Sequence, residues 1–80
     1  MKLWFENVRE EERVISENCE TWSDVQAAIR NFLDECARKW PNKKPFVWYY
    51  TRTWKQEDGR TRIDIGSHSE FFIWEKPIDE

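Results

Sequence analysis

The sequence predicts an α+β fold, an antiparallel sheet of four to five strands packed on one helix in the order ββαβββ. Three observations lead there. Val25, Ala28, Ile29, Phe32, Leu33 and Cys36 recur at helical spacing as a single apolar stripe. The segments on either side alternate apolar and polar residues, as half-buried strands do. The connections between these segments are short, which favours antiparallel neighbours. A β-grasp topology is the leading expectation, and a meander with an inserted helix is the alternative.

The first strand is expected over Lys2 to Val8, with Leu3 and Phe5 on one side and Trp4 on the other. Arg9 to Arg13 reads as a charged turn whose acidic run Glu10-Glu11-Glu12 is a solvated loop, and a short second strand follows from Arg13 to Ser16. Thr21 and Asp24 stand at capping-box spacing before the apolar stripe. Arg38 and Lys39 suit the negative end of the helix dipole, and Pro41 stops the helix. Trp22 and Trp40 flank it as edges of the core, with exposure an equal alternative for Trp40.

Asn42 to Lys44 then forms a basic loop. The main hairpin runs from Phe46 to Ile65 and turns at Asp58-Gly59. Gly66 to Ser69 makes another turn, Phe71 to Glu75 a last strand, and residues 77–80 a flexible tail.

Eighty residues suffice for one domain with a single two-layer core. Leu and Met are nearly absent (Met1, Leu3 and Leu33), so the aromatic 16% of the chain, six Trp among it, must fill that core. No run approaches a membrane span, the first residues lack a signal-peptide core, and no Asn-X-Ser/Thr acceptor occurs. The expectation is a cytoplasmic protein whose Cys19 and Cys36 stay reduced.

Net charge is −3, but it is segregated. Residues 38–62 carry eight Lys or Arg against Glu57 and Asp58, between two acidic flanks. That basic segment holds the aromatic run Phe46-Val-Trp-Tyr-Tyr-Thr-Arg-Thr-Trp54. Read as one strand, the run places Phe46, Trp48, Tyr50, Arg52 and Trp54 on one face and Val47, Tyr49, Thr51 and Thr53 on the other.

Two hairpin registers fit the turn. A two-residue turn pairs Trp54 with Ile63 and sets Arg52 among isoleucines. A three-residue loop, Glu57-Asp58-Gly59 with Gly59 left-handed, pairs Gln56 with Arg60, Trp54 with Arg62, Thr53 with Ile63, Arg52 with Asp64 and Thr51 with Ile65. The second is favoured, because it gives a cross-strand ion pair and a cation–π neighbour on one face and β-branched residues on the other. Val47, Tyr49, Thr51, Ile63 and Ile65 then meet the helix. Two rival readings make the aromatic stripe itself core, or bury it beneath Phe71 to Trp74.

Chemistry is sparse. Cys19, Cys36 and the single His68 are too few and wrongly spaced for a metal site. Ser67-His68-Ser69-Glu70 has the residue types of a hydrolytic triad, yet its composition is that of a tight turn. Gly59 and Gly66 lie on separate turns and cannot build a phosphate loop. No catalytic residue, cofactor or metal is expected.

Short, acidic, Trp-rich chains with the run Trp54…Asp58-Gly59-Arg60…Gly66-Ser67-His68…Phe71-Phe72-Ile73-Trp74 resemble small uncharacterised proteins encoded by phages and prophages of Gram-positive bacteria. The resemblance implies an accessory or inhibitor protein that binds, blocks or redirects a host protein in the host cytoplasm. It brings no site residues with it.

The expected function is a non-catalytic binding module. Its anchors are Phe46, Trp48, Tyr50, Arg52, Trp54 and Arg62, with Lys43 and Lys44 beside them, docking on an acidic protein. The alternative is single-stranded nucleic acid or nucleotide stacked on the same rings, against which the acidic flanks weigh. Homodimerisation through an exposed apolar face is a third outcome.

Overall fold

Five antiparallel strands and one helix form two layers in a computed structural model that describes residues 1–42, 47–67 and 69–77. The elements are β1 (Leu3–Glu6), β2 (Glu12–Ser16), α1 (Trp22–Lys39), β3 (Arg52–Lys55), β4 (Thr61–Asp64) and β5 (Phe71–Trp74). The sheet order is β2-β1-β5-β4-β3, so two hairpin-linked units meet at a central β1–β5 seam. The α+β class and the order ββαβββ are as expected. The β-grasp expectation is not met, because β1 and β5 run antiparallel and the sheet lacks that fold's parallel central pair. The sheet is not a simple meander either: α1 carries the chain from one edge strand, β2, to the other, β3.

The helix begins as its sequence dictates. The Thr21 hydroxyl accepts the Asp24 N–H, and the Asp24 carboxylate accepts the N–H of Thr21 and of Glu20, a reciprocal cap. These bonds, to the Thr21 N–H first, hold the Asp24 carboxyl below its ordinary range. Trp40 closes the C-terminus by donating its N–H to the Cys36 carbonyl, directly before Pro41.

Val25, Ile29 and Phe32 bury the helix stripe against Leu3, Ile63, Ile65, Phe72 and Trp74. Phe5, Phe32 and Phe72 form a ring cluster, with centroids 4.5 Å (Phe5–Phe32), 5.6 Å (Phe5–Phe72) and 5.8 Å (Phe32–Phe72) apart. Leu3 and Phe5 thus face the helix and Trp4 faces away. Cys19 is a buried free thiol, and its carbonyl accepts the Trp74 indole N–H at 2.8 Å. The partly buried Cys36 is also free, its thiol pushed up by burial.

The long aromatic strand is where sequence and structure part. The favoured register holds over β3, with Arg52 opposite Asp64, Thr53 opposite Ile63, Trp54 opposite Arg62 and Lys55 opposite Thr61. Ile63 and Ile65 are buried as expected. Upstream, however, Val47 to Thr51 is not strand. Tyr49 and Tyr50 both donate to the Ile65 carbonyl, at 2.9 and 3.3 Å, and two successive donors on one acceptor break the alternation. Gly66 follows at φ 111 and turns β4 away, leaving residues before Thr51 no partner strand.

The faces invert as a result. Trp48, expected outside, packs partly buried against the core, while Val47, Tyr49 and Thr51, expected inside, are exposed. Nor does β5 fold over the aromatic face, because it is the central strand. Of the expected tail only Pro77 belongs to the described residues, and it is exposed.

Candidate functional site

The sheet face turned away from the helix is built by alternate residues of each strand. Val14, Trp4, Ile73, Arg62 and Trp54 form one row across it, in register from β2 to β3. Ile73 is fully buried although the helix lies on the opposite side. Its cover comes from the same row, where Trp4 and Arg62 flank it.

Two arginines lock this face. Arg62 donates Nη1 and Nη2 to the Glu6 carboxylate at 2.8 and 3.1 Å and Nε to Gln56 Oε1 at 2.8 Å. Its guanidinium also lies over the Phe71 ring, 4.8 Å from the centroid. Arg60 grips Glu12 in the same bidentate way at 2.7 and 3.1 Å, pairs with Asp58 at 2.8 Å and covers Trp4 at 4.8 Å. Both arginines reach from the β3–β4 hairpin to glutamates of the β1–β2 hairpin. The charge segregation seen along the chain is therefore cancelled in space at these two positions.

Titration follows from these contacts. Hydrogen bonds from Arg60, side chain first and then its N–H, hold the Asp58 carboxyl at about 2, against an ordinary 3.8. Arg60 also lowers Glu12, again through its side-chain bonds. Carboxyls depressed in the folded state stabilise it above their unfolded values and lose that contribution as pH falls through the folded ones. Thermal melts should therefore be flat from pH 7 to about 5 and fall between about 4.5 and 2. Asp58→Asn should flatten part of that decline. A melting temperature level down to pH 2 would contradict the assignment.

The expected site residues separate accordingly. Arg62 is a structural tie and not a free anchor, since its donors serve Glu6 and Gln56. Its ring neighbour is Phe71, and Trp54 instead meets Phe71 edge-on at 6.3 Å. Trp48 turns inward, with Arg30 4.9 Å over its ring and its Nε1 donating to Thr51 Oγ1 at 2.8 Å. Arg52 pairs in register with Asp64 but makes no ion pair with it; it lies 5.9 Å from the Tyr50 ring, and Asp64 accepts the Gly66 N–H. Lys43, Lys44 and Phe46 lie outside the described residues.

Tyr50, Arg52 and Trp54 remain together on the outer edge of the sheet, Tyr50 at 45% and Trp54 at 39% exposure. Tyr49, at 66%, and Val47, at 47%, join the exposed group, and sequence reasoning had placed both in the core. Gly66 was the available signal. In the favoured register it falls opposite Tyr50, so a turn there takes Tyr49 and Val47 out of the strand ladder.

A cleft of about 500 Å³ opens beside the Arg62–Glu6 pair, lined also by Val8, Glu10, Ser69 and Phe71. Ser67 Oγ lies 3.5 Å from Glu70 Oε1, and His68 is outside the described residues. Among the described residues no three His, Cys, Asp or Glu side chains gather as a metal site, and no helix is long and apolar enough to cross a membrane. No protein-family model, curated protein or solved structure matches the chain.

Proposed function

We propose that the chain is a non-catalytic binding module that docks Tyr50, Arg52 and Trp54, with Tyr49 and Val47 beside them, on an acidic protein partner in the cytoplasm. The reading rests on one contrast. Trp4, Trp22, Trp48, Phe71 and Trp74 are engaged in internal contacts, whereas Tyr49 and Tyr50 are left exposed, as is Trp40 at the end of α1, and Trp54 is exposed beyond its edge contact with Phe71. Tyr, Trp and Arg dominate interface energetics, often at about 2 kcal/mol or more each when central. Arg52 and Lys55 make no ion pair among the described residues, which favours an acidic counterpart. An accessory or inhibitor role of the kind found in phage-encoded proteins is in keeping with such a surface.

Nucleic acid is the weaker reading. Arg60 and Arg62 are already neutralised by carboxylates, and backbone affinity depends on cations free to displace counterions. The test is affinity capture from lysate with the wild-type chain and a Tyr50→Ala, Trp54→Ala variant whose melt is unchanged. Proteins held by the first should be lost by the second. Equal retention would remove this surface from the assignment. Salt-reversible quenching of tryptophan fluorescence by a mixed-sequence single-stranded oligonucleotide would instead favour base stacking.

A further inference from the structure

We infer that β3 accepts an extended acidic segment of the partner as a sixth strand, an inference that rests on the binding reading above. β3 is an edge strand whose four residues are all exposed. The Gln56 N–H bonds the Arg60 carbonyl at 2.7 Å, which fixes the phase of the ladder. Trp54 and Arg52 therefore turn their backbone groups toward β4, and Thr53 and Lys55 turn theirs to the free edge. That edge offers two N–H and two C=O groups, the template used in strand addition.

The side chains state what fits. Arg52 and Trp54 project on the sheet face away from the helix, and Thr53 and Lys55 on the other. An antiparallel guest meets Lys55, Trp54, Thr53 and Arg52 in that order. Complementarity then requires an acid, an apolar residue, any strand-forming residue and an acid, in one four-residue run. The two acids fall three residues apart and on opposite faces, a spacing that net attraction alone does not demand. Asp64, cross-strand from Arg52, and Glu57, beyond the strand end, are the nearby charges that oppose this.

The probe is a blocked hexapeptide, Thr-Glu-Phe-Val-Glu-Thr, titrated into the isotope-labelled full chain by NMR. The Thr53 and Lys55 amides should gain exchange protection, and shifts should centre on β3. The permuted peptide Thr-Glu-Glu-Phe-Val-Thr, of the same composition, should bind about tenfold more weakly. N-methylation at the first Glu or at Val, opposite Lys55 and Thr53, should abolish binding, and methylation at Phe should be tolerated. An Arg52→Glu, Lys55→Glu variant, exposed at both positions, should instead prefer a peptide with Lys in place of each Glu.

Equal affinity for the permuted or N-methylated peptides, shifts centred on the Glu6–Phe71 cleft, or no binding at all would overturn the inference. So would concentration-dependent protection of β3 without peptide, since a second copy would then fill the edge. Loss of this inference leaves the binding reading standing if partner capture still depends on Tyr50 and Trp54. Partner capture indifferent to those two residues would sink that reading whatever the peptide does.

Discussion

Arg62→Ala should destabilise the chain by about 3 kcal/mol, a loss typical of breaking a buried pair from one side. Glu6 is only 6% exposed, and without Arg62 its carboxylate stands in the sheet with its bidentate partner gone. The same substitution uncovers Phe71 and removes one flank of Ile73. Urea unfolding measures this directly. Arg62→Leu combined with Glu6→Leu should recover most of the loss, because apolar residues of similar volume often replace a buried pair at little cost. A loss under about 1 kcal/mol for Arg62→Ala would place the pair among ordinary surface ion pairs.

Gly66→Ala should cost about 2–3 kcal/mol, through two separate effects. At φ 111 the backbone lies where a side chain is strained. A Cβ there would also stand 2.9 Å from Tyr49 Cβ and 3.0 Å from its Cδ2. Gly59→Ala is the internal control: φ is 92 and nothing lies within 4 Å of the added atom, so only conformational strain of about 1 kcal/mol is expected. Tyr49→Gly, which removes the Cβ as well as the ring, should lessen the Gly66→Ala penalty and leave that of Gly59→Ala unchanged, the coupling expected of groups in contact. Equal penalties at the two glycines would show that the Tyr49 contact contributes nothing.

What the sequence made legible is what local rules decide. The helix, its Thr21–Asp24 cap and its Val25–Ile29–Phe32 stripe follow from spacing alone. The Asp58-Gly59 turn fixed the register of β3 on β4, because only one pairing kept Arg52 away from the isoleucines. The fate of Trp48 was hidden. It depends on Arg30, a helix residue outside the apolar stripe, which caps the indole in space. Arg62 was misread for the same reason: its partner Glu6 lies 56 positions away, and charge counted along a chain cannot see a pair that distant. Tyr50, Arg52 and Trp54 survived as candidates because they lie at or next to the stretch where the alternation holds.

The position of β5 has a consequence for how the protein is made. It comes last in strand order yet stands in the middle of the sheet, joining β1 on one side and β4 on the other. A nascent chain that has not yet delivered Phe71–Trp74 therefore holds two separate hairpins, with four open edges where the finished sheet has two. Pairing Leu3 with Trp74 joins residues 71 positions apart, the kind of distant contact that slows folding. Assembly of the sheet is thus deferred until β5 has been made, and a ribosome stalled before β5 would release a species built to aggregate.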